Sequence, residues 1–214
     1  MKKTKKILAL ALVAVMLVCT TVAATVAYLT ANTGYVNNTF TVGSVAIELD
    51  EALVDIYGEK YLKVENNAEV ETTKGSEDRV KGNDYKLIPG HTYIKDPTVY
   101  VNGGSEPCYV FVKVAVSSNV NGVLDNFAIN SDWIELASVE NVYYYKDVVD
   151  ARSIATSVKV ALTPVFTQFK VLDSANVSVV TSTDAISVDA YAVQADGFTT
   201  AAAAWAAAPT TWVE

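Results

Sequence analysis

"CYVFVKVAV", residues 108–116, decides the fold. Written as an extended chain, it places Cys108, Val110, Val112, Val114 and Val116 on one side and Tyr109, Phe111, Lys113 and Ala115 on the other. That period of two belongs to a β-strand, and β-branched and aromatic residues suit a pleated surface. With one charge in the stretch, the strand is expected at the centre of a sheet. Cys108 is expected there as a small buried hydrophobe, not a reactive thiol.

Working outward, further strand patterns are "SVAIEL" (44–49, with Val45, Ile47 and Leu49 on one face), "TVYVN" (98–102) and "VYYYK" (142–146). Others are "TSVKVALTPVF" (156–166), "NVSVV" (176–180) and "AISVDAYAVQ" (185–194). Gly, Asn, Asp and Pro separate them, and no long helical periodicity alternates with them. This predicts an all-β domain over 40–198, an antiparallel sandwich of the jelly-roll or immunoglobulin kind.

Three stretches break the pattern. Residues 58–84 are charged and nearly free of large apolar groups beyond Val70, which predicts a long surface loop. Residues 121–136 suggest a short helical turn. Residues 199–214 read as an alanine-rich helix and tail with a threonine N-cap; so short a helix is marginal alone, so Trp205 must dock on the domain.

The N-terminus reads as an export signal. Lys2, Lys3, Lys5 and Lys6 precede an apolar run from Ile7 to Val18 that softens into small residues, giving a signal peptide over 1–27. Cleavage after Ala24 or after Ala27 fits the small-residue preference; Ala27 is favoured, making Tyr28 the mature N-terminus. The alternative is an uncleaved anchor over Ile7 to Leu29. Val18 before Cys19 argues against lipidation. Residues 1–27 hold four of the 16 Lys and Arg and none of the 24 Asp and Glu, leaving 12 basic against 24 acidic residues. Such a surface disfavours nucleic acid and makes self-assembly sensitive to salt and pH.

Chemistry is sparsely signalled. His91 is the only histidine and follows a Pro-Gly turn, where an exposed loop imidazole is expected, so no histidine-based zinc motif can be drawn. No phosphate loop is present; the Asp50–Glu51 and Glu77–Asp78 pairs read as solvated charge. The tyrosines at 143, 144 and 145 leave a sugar-binding surface open, although strand alternation assigns at least one of them to the core. No catalytic residue, metal site or cofactor is expected.

Three stretches carry a family resemblance: "ATVAYLTANTGYVNNTFTVGSVAIELDE" (24–51), "YKLIPGHTYIKDPTVYVNGGSEPCYVFVKV" (85–114) and "AYAVQADGF" (190–198). The chain resembles the TasA and camelysin family of secreted matrix proteins. The resemblance implies a jelly-roll-like sandwich, processing by a SipW-type signal peptidase after Ala27, and no stable membrane anchor once cleaved. It also implies a homo-oligomeric filament in the extracellular biofilm matrix, in which an N-terminal extension adds as a strand to the next subunit. Here that extension is 28–39, with Tyr28, Leu29, Tyr35 and Val36 as candidate anchors. Its small uncharged residues suit a backbone-paired donor; the alternative is a tether that lets the peptidase reach the signal junction. A monomeric cell-surface adhesin or accessory matrix protein is the competing function. The family's camelysin branch also implies a peptidase, for which this chain lacks a zinc pattern.

Overall fold

The computed structural model describes residues 43–208 apart from Asn126 and Ser138. In chain order the strands are β1 (Ile47–Ala52), β2 (Tyr61–Glu65), β3 (Ala68–Thr72), β4 (Arg79–Val80), β5 (Thr92–Ile94) and β6 (Thr98–Asn102). They continue as β7 (Cys108–Val116), β8 (Trp133–Glu135), β9 (Val142–Tyr145), β10 (Lys159–Ala161), β11 (Gln168–Lys170) and β12 (Ile186–Gln194). Two short helices, α1 (Ser118–Asn121) and α2 (Ala201–Ala206), and one 3-10 turn (Val177–Val179) complete the described elements. The chain is all-β, and every strand pairing is antiparallel.

Two four-stranded sheets run β10-β6-β1-β4 and β12-β7-β9-β8. They share one apolar core: Val99 and Val101 of β6 meet Cys108, Val110, Val112 and Val114 of β7, with Phe166 and Trp133 filling its end. β7 lies between β12 and β9, so the alternation in 108–116 marks an interior strand as expected. Burial pushes the Cys108 thiol up to about 11, which keeps it protonated and unreactive.

The opposite face of β7 is covered at its middle. Phe111 is fully buried beneath α2, where Trp205 meets it at a ring-centroid distance of 5.0 Å and meets Tyr191 edge-on at 5.8 Å. The Thr200 hydroxyl accepts from the Ala203 N–H at 3.2 Å and caps the helix. Six residues cannot sustain a helix in water, so the buried faces of Ala201, Ala204 and Trp205 hold it. A third cluster, built on Tyr93, Phe169 and Val171, lies under the two-stranded β5-β11 sheet.

Several expectations are corrected. Residues 58–84 are not a structureless loop: β2 and β3 form a hairpin and β4 pairs with the end of β1. Asn66 and Asn67 both have positive φ, the two-residue turn whose twist matches a hairpin. The ribbon is polar because it buries little beyond Leu62, and ion pairs join Lys60 to Glu71 and Lys63 to Glu65. "NVSVV" is a 3-10 turn, because the Asn176 side chain accepts from the Ser178 N–H and bends the chain. Within 121–136 the regular element is strand β8, and the helical turn lies just before, at Ser118–Asn121. Of 156–166 only Lys159–Ala161 is regular strand, although the Leu162 N–H still donates to the Val99 carbonyl and the Gly103 N–H to the Val158 carbonyl, both at 2.9 Å.

Candidate functional site at an open sheet edge

Among the described residues, backbone geometry identifies one long unpaired edge. Cys108 exchanges both backbone hydrogen bonds with Val149, and the Val114 N–H donates to the Asn141 carbonyl, so even-numbered residues of β7 bond toward the β9 side. Antiparallel alternation then directs Tyr109, Phe111, Lys113 and Ala115 toward β12, whose partners are Val193, Tyr191, Asp189 and Ser187. The backbone groups of Ile186, Val188, Ala190 and Ala192 therefore face away from the sheet. Among the described residues no strand takes them up, leaving a nine-residue edge available for pairing.

The core is thin beside that edge. The core-facing side chains of β6 and β7 are almost fully buried, whereas Ile47 and Leu49 of β1 and Ile186, Val188, Ala190 and Ala192 of β12 are only partly so. β1 has an open margin on this side too: β4 pairs only with Glu51 and Ala52, and the Lys81 ammonium donates to the Leu49 carbonyl at 2.6 Å. A cavity of about 250 Å³ between Leu49, Lys81 and Val188 joins these margins. It shares Asn83, Lys95 and Ile186 with a neighbouring cavity of about 410 Å³, walled by Leu87, Val120, Phe169 and Val180. The arrangement suits an extended backbone that pairs along β12 and places apolar side chains over the half-covered core.

Charge pairs hold the lip of this opening. The Arg79 guanidinium donates to Asp50 at 2.8 Å and to Asp96 at 3.0 Å, and Asp96 accepts from the Ala52 N–H at 2.7 Å. Lys95 pairs with Glu51 at 2.6 Å, with both side chains almost buried. The Asp50–Glu51 pair is therefore structural and internal, not solvated charge. Glu51 continues the inward parity of Val45, Ile47 and Leu49, and a carboxylate at that position is the sequence signal for a buried partner. At the other acidic pair, Asp78 accepts from the Val64 N–H at 2.7 Å and Glu77 from the Gly75 N–H.

The remaining singled-out residues fall elsewhere. Ala27, Tyr28, Leu29, Tyr35 and Val36 lie outside the described residues, as do the whole signal segment and the extension to 39. His91 is not an exposed loop imidazole: Nε2 lies 2.9 Å from the Tyr57 carbonyl and 3.5 Å from Glu59, and the ring packs edge-on against Tyr93. Tyr143 and Tyr145 pack toward the main core and Tyr144 toward the α2 side, so all three are half-buried within β9. Among the described residues no group of three His, Cys, Asp or Glu could hold a metal ion. Nor is any described helix long and apolar enough to cross a membrane.

Asp184, at the rim of the larger cavity, supplies a pH probe. Its carboxylate accepts from the Thr181 N–H at 2.8 Å, the Thr181 hydroxyl at 2.9 Å and Asn119 at 3.1 Å. The Thr181 N–H foremost, then Asn119, hold its pKa down to about 2. A depressed carboxyl stabilises the fold above its unfolded value of about 3.9, and that contribution is lost as pH falls through the folded value. The Thr181 amide resonance is thus expected to titrate with a midpoint near pH 2. A midpoint near 4 in an NMR titration would show that the turn does not hold the carboxylate.

No family model, no curated protein and no solved structure matches this chain.

Proposed function

We propose that this chain is a secreted structural subunit that polymerises outside the cell into matrix fibres. In this reading the two sheets form a jelly-roll-like sandwich whose flank at β12 accepts an extended strand. The donor is residues 28–38 of another copy, freed when a SipW-type peptidase cuts after Ala27. The observation that carries the reading is the outward row of backbone groups on β12 that no strand among the described residues pairs, beside partly covered core residues of β1 and β12. An uncharged, small-residue segment is a fitting occupant, since backbone pairing supplies affinity while Tyr28, Leu29, Tyr35 or Val36 seat in the cavities. Head-to-tail donation does not close on itself, so it generates filaments. The proposed role is structural and non-enzymatic: the one histidine is taken up by Tyr57 and Glu59.

The test compares residues 28–214 with a form beginning at Asn38, by negative-stain electron microscopy across salt and pH. Filaments are expected from the longer form alone, with the shorter form a folded monomer by circular dichroism and sedimentation. Equal filament growth from both would refute strand donation by 28–38. Monomers from both would assign the chain to a surface adhesin or accessory matrix protein.

A further inference from the structure

The polar cluster at the lip of the opening holds an amine and a carboxamide on the two oxygens of one carboxylate. The Lys95 ammonium donates to Glu51 Oε2 at 2.6 Å, and the Asn83 side-chain amide donates through Nδ2 to the other oxygen, Glu51 Oε1, at 2.9 Å. Asn83 Oδ1 accepts from the Val54 N–H at 3.0 Å, which polarises the amide carbonyl. Nδ2 also donates to the Ala52 carbonyl at 2.9 Å, and the Asn83 N–H to Glu51 Oε1 at 3.0 Å, so the amide is fixed from several directions. The Lys95 and Glu51 side chains are 10% and 5% exposed, and the Tyr85 ring lies 5.8 Å from Nζ.

A buried ion pair pays a heavy desolvation cost, which transfer of a proton from lysine to glutamate relieves. The neutral amine so produced is a nucleophile. The Asn83 carboxamide, whose carbonyl carbon is an electrophile, is held on the other oxygen of the same carboxylate.

We propose that Lys95 and Asn83 become joined by an intramolecular isopeptide bond, with Glu51 carrying the protons. The Lys95 ammonium gives one proton to Glu51, and the Nζ lone pair then forms a bond to Asn83 Cγ. Negative charge gathers on Oδ1 facing the Val54 N–H, as at an oxyanion hole. Nζ loses a second proton and Nδ2 gains one, so that the Cγ–Nδ2 bond breaks and ammonia leaves with its electron pair. One proton remains on Glu51. The ion pair and primary amide thereby become a secondary amide, a neutral acid and ammonia. No oxidant, metal or second substrate is needed, and the fixed positions of the three groups replace the encounter of free reactants. The bond ties the segment after β4 to the end of β5, bracing the lip of the opening beside β12.

Intact-mass spectrometry of the purified chain, aged at neutral pH, tests this. The expected mass is about 17 Da below the sequence value, that of one expelled ammonia, and Lys95→Arg, which keeps the cation beside Glu51, is expected at full mass. Succinimide formation at Asn83–Asp84 also loses ammonia, so a tryptic map is read alongside. A branched peptide joining 83 to 95, with no cleavage after Lys95, establishes the bond. Full mass in the aged parent, or a deficit whose map shows free Lys95, overturns it. The parent's own map decides the matter even where Lys95→Arg folds poorly.

Discussion

Ala190→Pro is expected to leave the subunit folded and abolish filament growth. Ala190 pairs with Val112 in the β12–β7 register, but its N–H faces the outer edge. Proline there removes a donor that no strand of the described residues takes up and sets a ring along the row where an incoming strand must bond. Asp189 before it is already extended, as a residue preceding proline prefers. Tyr191→Pro is the control, because its N–H faces Phe111 and the substitution removes an interior ladder bond. The paired result expected is a soluble, cooperatively melting Ala190→Pro monomer with no elongation by light scattering, beside a clearly destabilised Tyr191→Pro. Elongation of Ala190→Pro at the parent's rate would remove β12 as the acceptor.

Phe111→Ala is expected to cost about 3–5 kcal/mol, the range for deleting a fully buried aromatic side chain. Phe111 is 0% exposed and lies between β7 and α2 in contact with Trp205, so its loss leaves a cavity and also unseats the helix. Against a typical total of about 5–15 kcal/mol, the change falls near the limit of tolerance. Denaturant titration followed by Trp fluorescence measures it, and near-ultraviolet circular dichroism should report a loosened Trp205. Val158→Ala, at a half-exposed position, should stay within about 0.5 kcal/mol. A Phe111→Ala loss below about 1 kcal/mol would mean that α2 is not seated on β7.

Much of the fold was legible because strands with one or two buried faces write that burial into local alternation. "CYVFVKVAV", "TVYVN" and "AISVDAYAVQ" correspond almost residue for residue to β7, β6 and β12. The Thr200 cap and the docking of Trp205 were legible for a similarly local reason. The polar hairpin of β2 and β3 was not, since it buries little beyond Leu62 and its apolar alternation stops at Leu62 and Val64. Its only mark is the Asn66–Asn67 pair, whose tolerance of positive φ makes the turn.

The candidate site divides in the same way. Donor residues were chosen from the sequence because an uncharged extension is a local property. The acceptor was not legible, because it consists of what is missing beside β12 once β7 has taken the other edge. Glu51, Lys95 and Asn83 lie 44 and 32 residues apart from carboxylate to amine and to amide, and only the Glu51 parity hints at burial.

By itself, then, the sequence determined that this chain is built of antiparallel strands, which of them is interior, and where a short capped helix follows the last of them. Tertiary structure alone decided which strand is left at an edge, which half of the core stays thin, and which charges meet. Side-chain periodicity reports how each strand is buried, whereas pairing partners depend on contacts between residues far apart, which no local pattern encodes.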